Sequence, residues 1–272
     1  MCVLKHFLLC WFCLASMAFG QSVAHKELYD ALHLEKIADI LRREGIEDGL
    51  KTGEVYLGQS YDVTSFEKAV QSIYSADAME AFLLDGLVDA LPDQTAKDLS
   101  GFFAQGLGAE VALLETSARS AISYEEVEIS AISAAKEAEK GDRERYLMLR
   151  ENLTELELVE MNMTGAFSAQ YAFLSELAEL EEMRLTHDDI LALLLESEGE
   201  MRQEILNWLM GFSYTAYKPL NDDDLTTYLG FLRSSDGKVL NAALFDIFND
   251  LSVQTSTALA RAIVSFRKAR DL

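Results

Sequence analysis

SGFFAQGLGAEVALLE at residues 100–115 is followed, much later, by LGFLRSSDGKVLNAAL at residues 229–244. Each stretch is an aromatic-rich helical phrase, then a glycine, then an aliphatic residue three positions on. Phe102 and Phe231 are 129 positions apart. The same separation pairs Leu91 with Leu220, Phe103 with Leu232, Gly108 with Gly237, and Val111 with Leu240. Pro92 and Pro219 stand ahead of the two stretches, and each is followed by an acid-bearing capped start. The reading is one unit used twice: a helix, a glycine corner and a second helix. Glycine suits such a corner because it takes positive φ or lets two helices approach closely.

The rest of the chain is equally helical in character. It has 272 residues, half of them hydrophobic, with only two prolines. Ala, Leu and Glu dominate, and no segment alternates with strand residues. Leu28, Leu32, Ile37, Ile40 and Leu41 make one apolar face, with Gly45 as an expected stop. Thr64 and Ser65 are expected to cap a helix carrying Phe66, Val70 and Ile73. Met79, Phe82, Leu83, Leu87 and Leu91 form the next, and Asp93 is placed as the cap of the following one. Residues 123–185 read as long acidic amphipathic helices, broken at Gly141-Asp142, with Glu139 and Arg143 at ion-pair spacing. Thr186 begins a further helix, with a break placed at Gly199, ending near Lys218-Pro219. Asn221 caps the helix that opens with Asp222, Asp223 and Asp224. The expected fold is therefore all-α, a helical bundle of two related helix–glycine corner–helix repeats with long connecting helices. Its segments are 1–20, 21–122, 123–185 and 186–272.

Residues 1–20 read as a secretory signal. Lys5 precedes an apolar run from Phe7 to Phe19, too short for a typical membrane span, and Ala18-Phe19-Gly20 puts small residues before a cut at Gly20-Gln21. Cys2, Cys10 and Cys13 are the only cysteines, so a cleaved chain has no thiol, disulfide or thiolate metal site. Cleavage also removes Lys5 and no acid, leaving 22 Lys and Arg against 46 Asp and Glu, a net charge of −24. Such a field repels nucleic acid and anionic lipid, and favours basic partners.

The second copy, DDDLTTYLGFLRSSDGKVLNAAL, resembles the C-terminal motif of an exported bacterial family, the domain of unknown function numbered twenty fifty-nine. The resemblance rests on Leu225, Tyr228, Phe231, Ser234, Gly237 and Leu240. Leu232 replaces a second aromatic, and the proline usual near the glycine is missing. Phe102, Phe103 and Gly108 carry the first copy, which lacks the serine. The resemblance implies a helical fold and a periplasmic or secreted location in a Gram-negative bacterium. It implies no activity for any residue.

No catalytic, cofactor-binding or metal-binding residue is assigned. His25, His33 and His187 include no pair four apart, and no HExxH, phosphate loop or Gly-x-Ser-x-Gly elbow occurs. A surface or capping role is expected of each histidine, and a helix end and turn of Ser234 and Ser235. Trp208, Phe212 and Tyr217, in WLMGFSYTAY, are either core or the wall of an apolar groove. The expected function is a non-catalytic binding or scaffolding module, with a protein partner or self-association. Arg261, Arg267, Lys268 and Arg270 at one end offer a basic surface for head-to-tail assembly. Two alternatives remain open. A carrier would hold an apolar ligand between the repeats, beside Phe102, Phe103 and Phe231. A hydrolase would use Glu110 or Glu115 beside Arg119, though Glu115 and Arg119 also fit an ordinary helical ion pair.

Overall fold

The computed structural model describes residues 23–58, 61–180 and 185–270, and among these there is no strand. The expected leader, its three cysteines and its cut lie outside the described residues, as do Glu181 and Glu182. The helices are α1 (residues 23–31), α2 (Leu34–Leu57), α3 (Val63–Ile73), α4 (Ala76–Ala90), α5 (Asp93–Phe103) and α6 (Gly106–Ile122). They continue as α7 (Glu125–Gly141), α8 (Arg143–Glu155), α9 (Leu158–Leu177), α10 (His187–Tyr217), α11 (Asp222–Arg233) and α12 (Ser235–Arg270).

Several boundaries fall where capping chemistry puts them. Thr186 and Asp189 form a full capping box at the start of α10, and Asn221 accepts from the Asp224 backbone at the start of α11. Asp142 separates α7 from α8, so Glu139 and Arg143 stand on different helices. Other boundaries correct the sequence expectation. Asp62, not Thr64 or Ser65, caps α3, because its carboxylate accepts from the Ser65 backbone. Pro92 is the cap position of α5, and Asp93 is its first residue. Gly199 does not interrupt α10. Gly45 does not stop α2, because its missing side chain serves packing instead. A Cβ on Gly45, Gly49 or Gly53 would meet Tyr74, which follows α3, or Val70 or Phe66 within it, at 2.2–2.9 Å. The true break in that region is His33, in the left-handed conformation (φ 54°) between α1 and α2. Glu157 takes the same conformation (φ 53°) between α8 and α9.

The bundle is held by two long helices. α12 runs along α9 and crosses α4, α3 and α2, while α10 packs on α7, α9, α6 and α8. One apolar core gathers residues from Ala24 to Leu251, so residues 21–122, 123–185 and 186–272 share it. A smaller cluster lies toward the far end of α12, where Phe66, Val70 and Leu177 meet Leu259, Ala260 and Ile263.

The α5–α6 and α11–α12 corners meet near the centre. A Cβ on Gly108 would stand 2.0 Å from the Phe102 carbonyl oxygen, and one on Gly237 would stand 2.1 Å from that of Phe231. Both glycines therefore permit a helix start to press on the backbone of the helix before it. The two phenylalanine rings stack face to face, with centroids 3.9 Å apart. Phe103 adds its edge to both. Ser234 closes the second corner: its hydroxyl donates to the Phe231 carbonyl and accepts from the Gly237 backbone. Gln105, in the corresponding place of the first corner, makes no side-chain cap.

Candidate functional site

Glu115 lies on the inward face of α6, one turn beyond Val111 and Ala112, both buried. Its Oε1 accepts the hydroxyl of Tyr217 at 2.6 Å and that of Tyr228 at 2.7 Å. The two phenols pack edge to face, one from the end of α10 and one from the middle of α11. Arg145 of α8 fixes that helix end by donating to the carbonyls of Tyr217 and Leu220 and to the Asp222 carboxylate. A carboxyl in such surroundings has lost most of its water. Burial pushes Glu115 above the usual carboxylate range, and the two phenol hydrogen bonds only partly offset this. Burial, and then the charge of Glu115, push both tyrosines well above the ordinary phenol value.

These groups border a cavity of about 270 Å³. Its aromatic wall is Phe103, Trp208, Phe212, Tyr217, Tyr228 and Phe245, with Leu153, Leu209 and Leu240 among the aliphatic residues. Trp208 and Phe212 are stacked one helical turn apart, their planes 2° from parallel. The polar groups are few: Glu115, Asn152, Asn162, Ser213 and Asn241. Asn162 and Asn241 are engaged with the Leu158 carbonyl and the Met161 sulfur. Asn152 is different. It is only 4% exposed, yet its Oδ1 has no hydrogen-bond partner. A buried acceptor left unpaired costs about 1–3 kcal/mol. No Lys, Arg or His lines the cavity among the described residues.

This arrangement revises several expectations. Trp208, Phe212 and Tyr217 border a cavity rather than filling solid core. Phe103 joins them, whereas Phe102 and Phe231 do not, because each covers the face of the other. Of the family-like residues, Tyr228, Gly237 and Leu240 line the cavity, while Leu225 is fully buried and Ser234 is a cap. Arg119 does not pair with Glu115. It makes a two-pronged contact with Glu44 of α2 and lies over the Trp208 ring. Glu110 is exposed and points away from the cavity lining, so the two carboxylates do not converge. His25 is fully buried, not at a frayed end, and bonds to the Leu91 carbonyl at 2.8 Å. His33 occupies the left-handed turn, and His187 is exposed against Tyr171. Arg261 and Lys268 pair with Glu176 and Glu179, and Arg267 bonds to the Tyr56 carbonyl. Three of the four bases at that end are thus engaged within the chain.

Asn152 heads an Asn-x-Thr triplet in the sequence but was given no site role there, since a polar residue in an acidic helix is unremarkable. Glu115 did carry a signal: a carboxyl on the stripe of Gly108, Val111, Ala112 and Ala118. A more open cleft lies across Arg119 and Trp208, lined by Glu44, Glu47, Asp48, Glu125, Glu126 and Glu128. Among the described residues, no group of His, Cys, Asp or Glu side chains is arranged to hold a metal ion. No helix there is long and apolar enough to cross a membrane. No known protein family, curated protein or solved structure matches the chain.

Proposed function

We propose that this chain is an exported, non-catalytic helical binding protein that holds a small, largely apolar ligand in the cavity beside Glu115. The observation that carries this reading is a buried amide, Asn152, left unpaired at the edge of a mostly aromatic cavity. An apolar space of about 150 Å³ is enough for a benzene ring, so 270 Å³ suits a ring with a short substituent. Binding without catalysis fits the presence of a single carboxyl at the cavity, because hydrolysis by paired carboxylates needs two facing each other.

The reading extends to the architecture: the cavity lies where two copies of one unit meet. Several parallels support duplication. The 129-residue separation that aligns Phe102 with Phe231 also aligns the first residues of α5 and α11, and of α6 and α12. The glycine corners have the same close contact. The turns at His33 and Glu157 share one hydrogen-bond pattern, Leu32 to Leu28 with His33 to Asp30, and Leu156 to Asn152 with Glu157 to Thr154. The carbonyls of Leu91 and Leu220 are each held by a side chain from another helix, His25 and Arg145.

The test is thermal unfolding with ethylbenzene near saturation. Wild-type protein should gain roughly 2 °C or more in Tm. Ser213→Met, which fills the cavity from α10, should lose that gain. No shift with ethylbenzene or any other small aromatic probe would overturn the reading.

A further inference from the structure

We propose that the ligand is a small organic amine, bound as its ammonium ion, with Glu115 Oε2 as its acceptor inside the aromatic wall. The inference rests on the cavity being a ligand site, and it names the ligand's chemistry.

The hydrogen-bond inventory points that way. Both phenols donate to Glu115 Oε1, and among the described residues Oε2 receives no hydrogen bond. Asn152 Oδ1 also lacks a donor, but it is enclosed by protein rather than open to the cavity. Once ionised, Oε2 is an acceptor open to the cavity, so the complementary group at that position is a donor. An ammonium brings three donors and no acceptor. A hydroxyl brings one donor and no charge to balance the carboxylate.

The wall agrees with a cation. Trp208, Phe212, Tyr217 and Tyr228 present rings to the same space, and ring faces attract organic cations most strongly where water is excluded. An anion finds no counter-charge, since no basic side chain lines the cavity among the described residues. Arg119 is the nearest base on α6, and it is committed to Glu44. The net charge of the whole chain, −23, raises the local concentration of cations at its surface. Size limits the amine to a ring or short branched chain, about ten heavy atoms, as in an arylalkylamine.

Proton balance makes the idea measurable. The titratable groups facing Glu115 are Tyr217 from α10 and Tyr228 from α11. Helices α5, α8, α9 and α12 contribute only Phe103, amides, a glycine and apolar residues to the lining. Below its own pKa the Glu115 carboxyl is neutral, and an ammonium bound there forms a carboxylate–ammonium pair and releases one proton to solvent. Amine affinity should therefore weaken about tenfold per pH unit at acid pH and level off above the carboxyl's own pKa.

The experiment compares 2-phenylethylamine, 2-phenylethanol, ethylbenzene and 3-phenylpropanoate by calorimetry, in two buffers of different ionisation enthalpy. The amine should bind at least tenfold tighter than the alcohol and release protons, and the anion should not bind. Glu115→Gln should remove the amine preference while ethylbenzene binding persists. If ethylbenzene or the alcohol binds as well as the amine, or the amine affinity ignores pH and Glu115→Gln, the amine inference falls and the cavity reading stands. If none of the four binds, both fall.

Discussion

Phe102 and Phe231 stack with centroids 3.9 Å apart and planes 9° from parallel, although 129 residues separate them in the chain. Each ring sits just before a corner glycine, so the stack ties the α5–α6 corner to the α11–α12 corner. Both are half-buried, and the Phe103 edge closes over them. Truncating either to alanine should cost about 2–3 kcal/mol, below the range for a fully buried phenylalanine. The double mutant should cost less than the sum, with about 1 kcal/mol of coupling. Urea unfolding of the two single variants and the double variant measures this. Simple additivity would mean that the stack itself contributes nothing.

The corner glycines should be the least replaceable of the helical glycines. At Gly108 and Gly237 an added Cβ meets a carbonyl oxygen at 2.0–2.1 Å, and backbone cannot move aside as a flexible side chain can. Each Gly→Ala change should destabilise by about 3 kcal/mol. Gly101 is the contrast. It lies inside α5 and faces open space. Gly101→Ala should stabilise by about 0.5–1 kcal/mol, through helix propensity alone. Equal effects at the three positions, read from denaturation midpoints, would refute the close-approach account.

Helix type was legible in the sequence because the apolar residues recur at helical spacing and breakers are few. The caps at Thr186 and Asn221 were legible because their chemistry is local. What was missed is long-range. Gly45 resembles a helix stop until α3 is laid against it, since a glycine that ends a helix and one that admits a neighbour look alike in one dimension. His33 and Glu157 take left-handed turns with no glycine to announce them. At the candidate site, Trp208, Phe212 and Tyr217 were visible as a cluster, but solid core and cavity wall share a composition. Glu115 was paired on paper with Arg119 at the right spacing. Space decided otherwise, because Glu44 offers Arg119 a two-pronged partner and the tyrosines offer Glu115 two hydroxyls. Asn152 had no local signal, for its meaning lies in a missing partner.

Arg145 should matter more than its surface ion pairs suggest. Its guanidinium holds the Tyr217 and Leu220 carbonyls at 3.0 and 2.9 Å, where α10 ends and has no further helical donors to offer. Arg145→Ala should cost about 2–3 kcal/mol, since charged hydrogen bonds to carbonyls in a half-closed site are lost together. Lysine should recover only part, because one ammonium cannot reproduce the planar fork. Arg233→Ala breaks a single half-exposed ion pair with Glu155 and no carbonyl contacts, and it should cost about 1 kcal/mol. Amide exchange at residues 217–221 should quicken in Arg145→Ala and not in Arg233→Ala. The opposite order would show that the α10 end is held by packing instead.

Glu115 sets an unusual sign for stability against pH. Most native carboxylates titrate below their unfolded value, so acid weakens the fold. Burial raises Glu115 above its unfolded value. The native state then holds its proton more tightly than the unfolded chain does. The stabilisation is complete below the unfolded carboxyl pKa and is lost as pH rises through the higher native value. Glu115→Gln keeps an acceptor for the Tyr217 and Tyr228 hydroxyls but has no proton to lose. The stability difference between Glu115→Gln and wild type should therefore shift in favour of glutamine as pH rises from 4 to 8. Comparing the two proteins at each pH cancels the contribution of the other acids, whose combined titration dominates either curve alone. Urea unfolding at four or five pH values suffices. A difference that is flat, or that shifts toward the wild type with rising pH, would mean that the two phenols hold Glu115 as a carboxylate, and that the empty cavity already carries its negative charge.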